Sequence, residues 1–234
     1  MAIPMIRRLS VLCALLLFAV SAAAQAQPID VGLRAGTTVS SFQGNTGAIT
    51  RGGALEAERR HGLHVSGFVS IPLNEVLALR PELMYVQKGA SVDDTRAFGT
   101  STDGPIAVRE AYRFSYLQLP LLLEVRIPTG GAFQTHLVLG PSIGANLQAT
   151  IERNEDVVTE AIPESEVHAF EVGFTTGFEF GYRVGEAGTA TLGAHYDLGI
   201  NQVIMDDAAA ARKGKEAEFR NGALTLSVGY RFAL

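Results

Sequence analysis

The chain has 234 residues, of which 47% are hydrophobic and 18% are charged, and its formal net charge at pH 7 is −5. Disordered chains combine low hydrophobicity with high net charge, so this composition excludes disorder. A net negative chain has no excess of basic side chains to neutralise phosphates, which excludes nucleic acid as a partner.

The first 26 residues have the pattern of a secretory signal peptide. Arg7 and Arg8 precede a ten-residue apolar stretch at 11–20, and small residues then lead to an A-x-A cleavage site that ends at Ala26. This apolar stretch is too short to cross a bilayer as a helix, which takes about 20 residues. We therefore expect cleavage after Ala26, which leaves residues 27–234 as a single domain.

The only cysteine, Cys13, lies inside this predicted signal peptide. Leu12 stands before it, where a lipoprotein signal would have a small residue, so we expect no lipid anchor. The mature chain would have no disulfide and would carry 17 Lys and Arg against 24 Asp and Glu, a net charge of −7. An exported chain of this kind depends on its backbone hydrogen bonds and packing alone.

The rest of the chain is dominated by a period of two, which is typical of β-strands with two different faces. In the last segment Leu224, Leu226 and Val228 share one face, while Thr225 and Ser227 share the other. No stretch reaches the 18 or more apolar residues of a transmembrane helix. The pattern predicts eight strands, near residues 29–41, 62–71, 76–90, 110–126, 133–148, 167–182, 189–200 and 222–234.

The connections between these strands alternate in length. Those at 74–75, 128–131 and 185–188 are tight turns, whereas the other four are long, polar and rich in charge. Short turns on one side and long loops on the other are typical of outer-membrane barrels. We therefore predict an all-β fold, an eight-stranded antiparallel up-and-down transmembrane β-barrel with both termini on the periplasmic side. Its four long extracellular loops would be residues 42–61, 91–109, 149–166 and 201–221.

The two faces of the strands favour a membrane over water. One face is nearly all apolar, as at Leu137, Leu139 and Ile143, and the other carries Gly, small polar residues and charges. A soluble barrel would place the apolar face inside. A closed barrel in lipid satisfies every backbone hydrogen bond and turns the apolar face outward. We then expect the charged residues, together with His136 and His195, to point into the lumen.

The charged residues on the inner face form the candidate site. Because an eight-stranded barrel is only just wide enough for its own side chains, we expect them to pair and plug the lumen. The alternative is a row of charges that lines an ion path. This predicted lumen charge network comprises Arg34, Arg80, Glu82, Glu124, Arg126, Glu171, Glu179, Asp197 and Arg231.

Three residues do not fit the scheme directly. Pro81 and Pro120 lie inside predicted strands, where each removes a hydrogen-bond donor, and we interpret both as β-bulges. Arg113 falls on the lipid face by parity, close enough to a strand end to extend toward water.

The signals for catalysis or metal binding are weak. Residues 140–144 match G-x-S-x-G around Ser142, but a nucleophile elbow needs a turn and a following helix, and no helical period follows. His61 and His64 are three apart, which places them on opposite faces of a strand, and zinc wants three or four N or S ligands. The third long loop is acidic without matching a calcium-loop pattern, so we expect it to be solvated. Its acidic residues are Glu152, Glu155, Asp156, Glu160, Glu164 and Glu166.

A series of short motifs along residues 27–234 resembles the porin-like outer-membrane β-barrel proteins, including the PorT type. The motifs are GLRAGTTVS at 32–40, GLHVSGFVSIP at 62–72, LRPELMY at 79–85, YLQLPLLL at 116–123 and GPSIG at 140–144. In-strand prolines belong to the pattern of this family. One departure is that Ala233 and Leu234 follow Phe232, whereas the family often ends on an aromatic residue. The resemblance implies the fold and location and carries little about activity.

These observations favour a structural or interaction barrel in a Gram-negative outer membrane, with no enzymatic activity, no cofactor and no metal. Its partners would be outer-membrane lipid, the barrel assembly machinery and an unknown protein or surface ligand at the loops. The first alternative is a narrow transport channel or a PorT-like accessory to protein secretion. An enzyme such as a barrel lipase or protease and a soluble ligand-binding barrel are the remaining hypotheses.

Overall fold

The computed structural model describes residues 28–43, 58–96, 106–153, 158–163, 165, 167–185, 188–203 and 220–233. The predicted signal peptide and Leu234 lie outside these residues. The described residues form nine strands: β1 (Asp30–Gln43), β2 (Glu58–Pro72), β3 (Leu77–Arg96), β4 (Ile106–Ile127), β5 (Phe133–Arg153), β6 (Val158–Ala161), β7 (Phe170–Arg183), β8 (Thr189–Gly199) and β9 (Arg220–Ala233).

Eight of the nine strands form a closed antiparallel barrel. The sheet order is β4-β3-β2-β1-β9-β8-β7-β5, and β4 also pairs with β5. The seam joins the first and last strands along their whole length, from Asp30 opposite Ala233 to Gln43 opposite Arg220. The ninth strand, β6, pairs with the end of β5 alone and lies outside the ring. The predicted eight-stranded barrel is therefore confirmed.

Three consecutive strands extend well past the others at the end of the long connections. β3, β4 and β5 have 20, 22 and 21 residues, whereas β8 has 11. The predicted loop at 91–109 is consequently wrong in part, because β3 and β4 remain paired up to Arg96 opposite Ile106. The predicted loop at 149–166 contains the end of β5 and all of β6. The sequences SVDDTR at 91–96 and IAVRE at 106–110 have no regular alternation of polar and apolar residues, so the pattern did not predict strands there.

The predicted bulges at Pro81 and Pro120 are also wrong. Pairing of β3 with β4 keeps one register on both sides of Pro81, from Leu77 opposite Val125 to Arg96 opposite Ile106. The register of β4 with β5 changes between Ser115 and Tyr116 instead, and that of β2 with β3 between Arg59 and His64. The prolines remove backbone donors without adding a residue, which interrupts a ladder but leaves its register unchanged.

Side chains alternate between the lumen and the outer wall along every long strand. In β7, Glu171 and Glu179 are buried while Phe170, Phe178 and Phe180 are exposed. Large apolar side chains thus cover the outside and the charged ones lie within, the reverse of a soluble barrel. Among the residues that the structure describes, no helix has the length and hydropathy needed to cross a membrane.

Candidate functional site

Four charged side chains meet in the middle of the lumen, from three strands that are not neighbours in the chain. The Arg80 guanidinium on β3 donates to both carboxylate oxygens of Glu179 on β7, at 2.6 and 2.8 Å. Arg34 on β1 donates to Glu179 at 2.6 Å and also pairs with Glu82. All four are at most 5% exposed. Each buried charge is therefore matched by at least one opposite charge, as a dry interior requires.

Toward the end that carries the short turns, Glu124 is the centre of a second group. Arg231 donates to both of its carboxylate oxygens, at 2.8 and 3.0 Å. Arg126 Nε donates to Glu124 Oε1 at 3.4 Å, and His136 Nδ1 lies 3.0 Å from the same oxygen. Asp30 Oδ2 accepts from Arg231 Nη1 at 3.4 Å. Arg80 joins the two groups, since its Nη1 lies 3.5 Å from Glu124 Oε2.

An aromatic ring lies among the arginines of these two groups. The guanidinium carbon of Arg80 is 3.5 Å from the centroid of the Phe68 ring, and those of Arg231 and Arg34 are 5.3 and 5.8 Å away. Cations are attracted to the face of such a ring. The ring fits because Gly32 lies against it: a Cβ at Gly32 would overlap three of its carbon atoms.

Toward the end that carries the long connections, Lys88 forms a third group. Its Nζ donates to Glu171 Oε1 at 2.7 Å, and the other Glu171 oxygen accepts from the Asn221 amide. The Lys88 ammonium also lies 5.6 Å from the centroid of the Tyr116 ring. Asp197 accepts a hydrogen bond from the Thr175 hydroxyl at 2.5 Å.

Beyond these charges, the described part of the lumen ends in an apolar layer, defined by Phe42, Val86, Tyr112, Phe114 and Ile151. All five side chains are at most 5% exposed. The Phe42 ring meets that of Tyr112 edge to face, with centroids 5.8 Å apart, and lies 6.2 Å from that of Phe114. Outside the barrel strands, three buried side chains pack on this layer: Ile162, Val167 and Val203.

The structure places eight of the nine predicted network residues inside the lumen, each at most 5% exposed. The exception is Arg126, whose side chain is 26% exposed at the mouth. The prediction omitted Lys88, Phe68, Asn221 and His64, which are all buried there. Parity would have found three of them, since Lys88 shares the face of Arg80, and His64 and Phe68 share the face of Ser66. Asn221 lies one residue before the predicted start of the last strand, so the alternation did not include it.

The weak catalytic and metal signals occupy structural positions. Ser142 lies within β5, is buried, and accepts a hydrogen bond from the Gln118 amide at 3.0 Å. His64 faces the lumen and His61 is exposed, on opposite sides of the wall. Across the residues that the structure describes, no three His, Cys, Asp or Glu side chains are grouped to hold a metal ion. Glu155, Asp156, Glu164 and Glu166 lie outside those residues.

Arg113, predicted on the lipid face, is exposed on the outer wall. Its Nη2 lies 2.9 Å from Glu152 Oε1, and the other oxygen of that carboxylate accepts from Arg60 at 3.0 Å. Glu152 is opposite Ala111 in the register of β4 and β5, near the extended end of the barrel. A polar partner at this level removes the need for the guanidinium to enter an apolar layer.

Comparison with known proteins gives one family. The model of the outer membrane protein beta-barrel domain matches residues 23–205. None of the curated proteins matches the chain. The PorT-like subtype stays a prediction.

Similar solved structures include Neisserial surface protein A, with 13% identity, a TM-score of 0.48, and 88% of this chain and 97% of that one covered. Outer membrane protein OprG from Pseudomonas aeruginosa has 15% identity, a TM-score of 0.47, and 89% and 98% covered. Ail from Yersinia pestis, in complex with the heparin analogue sucrose octasulfate, has 14% identity, a TM-score of 0.42, and 87% and 99% covered.

Proposed function

Because this chain belongs to the family of outer membrane protein beta-barrel domains, we propose that it is a structural or interaction barrel of the outer membrane. Its lumen is closed, and its role is to anchor its long connections at the cell surface. The observation that carries this proposal is the filled lumen, where paired charges and an apolar layer follow one another along the barrel axis.

The charged part of the plug is held by pairing. Separating Arg80 from Glu179, or Arg231 from Glu124, would leave unpaired charges in an interior that holds several others. Breaking one buried ion pair costs about 3–5 kcal/mol. A solute would have to break several such pairs to pass, and Arg80 links the groups around Glu179 and Glu124, so those two resist as a unit.

The apolar layer is a second barrier of different chemistry. Phe42, Tyr112 and Phe114 fill the section of the lumen beyond Lys88 with closely packed aromatic rings. Apolar constrictions exclude ions because water does not wet them. The closure we propose is therefore stronger than the polar plug expected from the sequence, since salt screening cannot weaken this layer.

We also propose that the barrel is not an enzyme and uses no cofactor. The support is local: Ser142, in the motif that resembles a nucleophile elbow, lies mid-strand with Gln118 as its partner rather than a histidine. A nucleophile elbow needs a sharp turn between a strand and a helix.

The export route completes the proposal. The predicted signal peptide, cleaved after Ala26, would deliver the chain across the inner membrane of a Gram-negative cell. The barrel assembly machinery and outer-membrane lipid are its proposed partners during insertion. The long connections at 42–61, 91–109, 149–166 and 201–221 are the proposed surface for an unidentified protein or ligand.

The test is single-channel conductance of the refolded mature chain in a planar bilayer. We expect no open level for the wild type, and leakage from the double variant Phe114→Ala/Glu124→Ala, which removes one side chain from each barrier. Leu119→Ala, an exposed outer-wall position of the same strand, is the matched control and should be silent. A steady open level in the wild type would overturn the proposal and make transport the function to pursue.

A further inference from the structure

The barrel end that carries the short turns contains a cavity of about 290 Å³. Its charged lining consists of three arginines, one histidine and two acidic residues, with Gln134, Thr129 and Thr135 beside them. Its volume is near the lower limit for small-molecule sites. The six ionisable residues of the lining are Asp30, Glu75, Arg126, His136, Arg183 and Arg231.

The base of this cavity is a buried ion pair. Arg231 is held by two hydrogen bonds to Glu124, which is fully buried. Arg126 is held from one side only, by the 3.4 Å bond from its Nε to Glu124. Its Nη2 lies 3.6 Å from Asp30 Oδ2, beyond hydrogen-bond distance. Arg126 Nη2 is thus left without a hydrogen-bond partner at the cavity.

Four buried nitrogen atoms in the lining have no hydrogen-bond partner among the residues that the structure describes. They are Arg126 Nη2, Arg231 Nε and both ring nitrogens of His136, of which Nδ1 lies 3.0 Å from Glu124 Oε1. His136 and Arg231 are at most 4% exposed. Leaving a buried polar atom unpaired costs about 1–3 kcal/mol, and more for a charged group. Two guanidinium donors and an imidazole converge on this space.

We propose that this cavity binds a small molecule that carries a carboxylate or phosphate group. Guanidinium groups match the geometry of both anions. The donors left free here, Arg126 Nη2 and Arg231 Nε, are buried atoms, and charge-assisted hydrogen bonds are stronger in such surroundings than in water. The Asp30 carboxylate lies 3.6 Å from Arg126 Nη2 and 3.4 Å from Arg231 Nη1, so it would compete with a bound anion for these two guanidinium groups. The binding itself is independent of the closed-barrel function, whereas entry from the periplasm rests on the proposed orientation.

The experiment is isothermal titration of the full mature chain in detergent, at low chloride, with inorganic phosphate and separately with succinate. We expect saturable binding of at least one of them. Arg126→Gln should weaken it about tenfold or more by removing a charge-assisted bond, and Arg126→Lys should weaken it less because it keeps the charge. Asp30→Asn should strengthen binding, since it removes the competing carboxylate.

Arg60→Gln is the control, a paired arginine at the other end of the barrel, and should leave the affinity unchanged. Each variant is first checked for a folded barrel by circular dichroism. Binding of phosphate alone, or of succinate alone, assigns the chemical source of the anion. The proposal is overturned if neither ion binds, or if Arg126→Gln and Asp30→Asn bind as the wild type does. The presence or absence of channel conductance does not affect the measured anion affinity. The closed-barrel proposal and the anion-binding proposal are therefore tested independently.

Discussion

Arg80 and Glu179 are 99 residues apart in the chain and form a two-bond ion pair across the lumen, at 2.6 and 2.8 Å. Glu179 also accepts from Arg34, and Arg80 also contacts Glu82 and Glu124. This pair is therefore the point where strands from opposite sides of the barrel are joined.

Removing one member of this pair should cost more than removing both. Arg80→Met leaves Glu179 with one fewer cation, and we expect a loss of about 3–5 kcal/mol in the free energy of unfolding. The double variant Arg80→Met/Glu179→Leu should lose less than either single variant, because no charge is left unpaired. Urea unfolding in detergent, followed by far-UV circular dichroism since the chain has no tryptophan, measures this. Additive losses would show that the pair is not coupled.

Gly32→Ala should destabilise the barrel through Phe68. The added methyl overlaps the ring, which must move away from the three guanidinium groups. Overpacking costs about 1–3 kcal/mol. Gly67→Ala is the matched control, because its Cβ would meet the flexible end of Leu33 at 3.3 Å and the Gly32 carbonyl oxygen at 3.8 Å, an ordinary contact distance. Equal unfolding midpoints for the two variants would argue against the packing of Phe68 described above.

Phe114→Ala, in the apolar layer, should lower the free energy of unfolding by about 3–5 kcal/mol, because burial is lost and a cavity is left behind. The side chain is fully buried and contacts the rings of Phe42 and Tyr116. Leu119→Ala, at an exposed position of β4, should cost much less. The same urea titration compares them, and a loss at Leu119 as large as that at Phe114 would mean that the layer is loosely packed.

The depth of the apolar outer wall can be probed along β9. Leu226→Arg, near the middle of the strand, should cost about 2–4 kcal/mol when the chain is folded into lipid vesicles. Phe232→Arg, at the mouth, should cost about 0–1 kcal/mol. Both residues are exposed on the outside. Equal costs in vesicles would contradict a membrane that surrounds the middle of this strand.

Processing can be tested by mass. The purified mature protein should begin at Gln27, because the A-x-A site ends at Ala26. Intact-mass spectrometry of protein from an outer-membrane fraction determines the terminus directly. A retained residue 1–26 segment would overturn the signal-peptide prediction, and an added acyl mass with Cys13 at the terminus would indicate a lipoprotein.

The face of each residue was predictable from the sequence, whereas its partner was not. Parity alone puts Glu179 in the lumen and Phe178 outside, because alternation in β7 is unbroken. Which cation Glu179 meets depends on the stagger of the closed barrel, which brings β7 across from β1 and β3 and has no local signal. The same limit hid the cavity at the mouth. Its lining comes from strands and turns that only closure brings together.

The predicted bulges were wrong because a proline inside a strand is compatible with two backbone structures. A proline inside a strand signals a lost hydrogen bond, and this is equally compatible with a bulge or with an interrupted ladder. Only the register on both sides of Pro81 decides between them. The extended ends of β3 and β4 were not predicted either, because their sequences at 91–96 and 106–110 lack a regular alternation of polar and apolar residues.

The seam between β1 and β9 sets the order in which this molecule can be made. Asp30 is opposite Ala233, so the ring stays open until the last strand has been delivered. Until then Arg34 and Glu179, 145 residues apart, have no enclosed space in which to meet. Closure of the ring therefore has to precede the burial of these charges in the lumen.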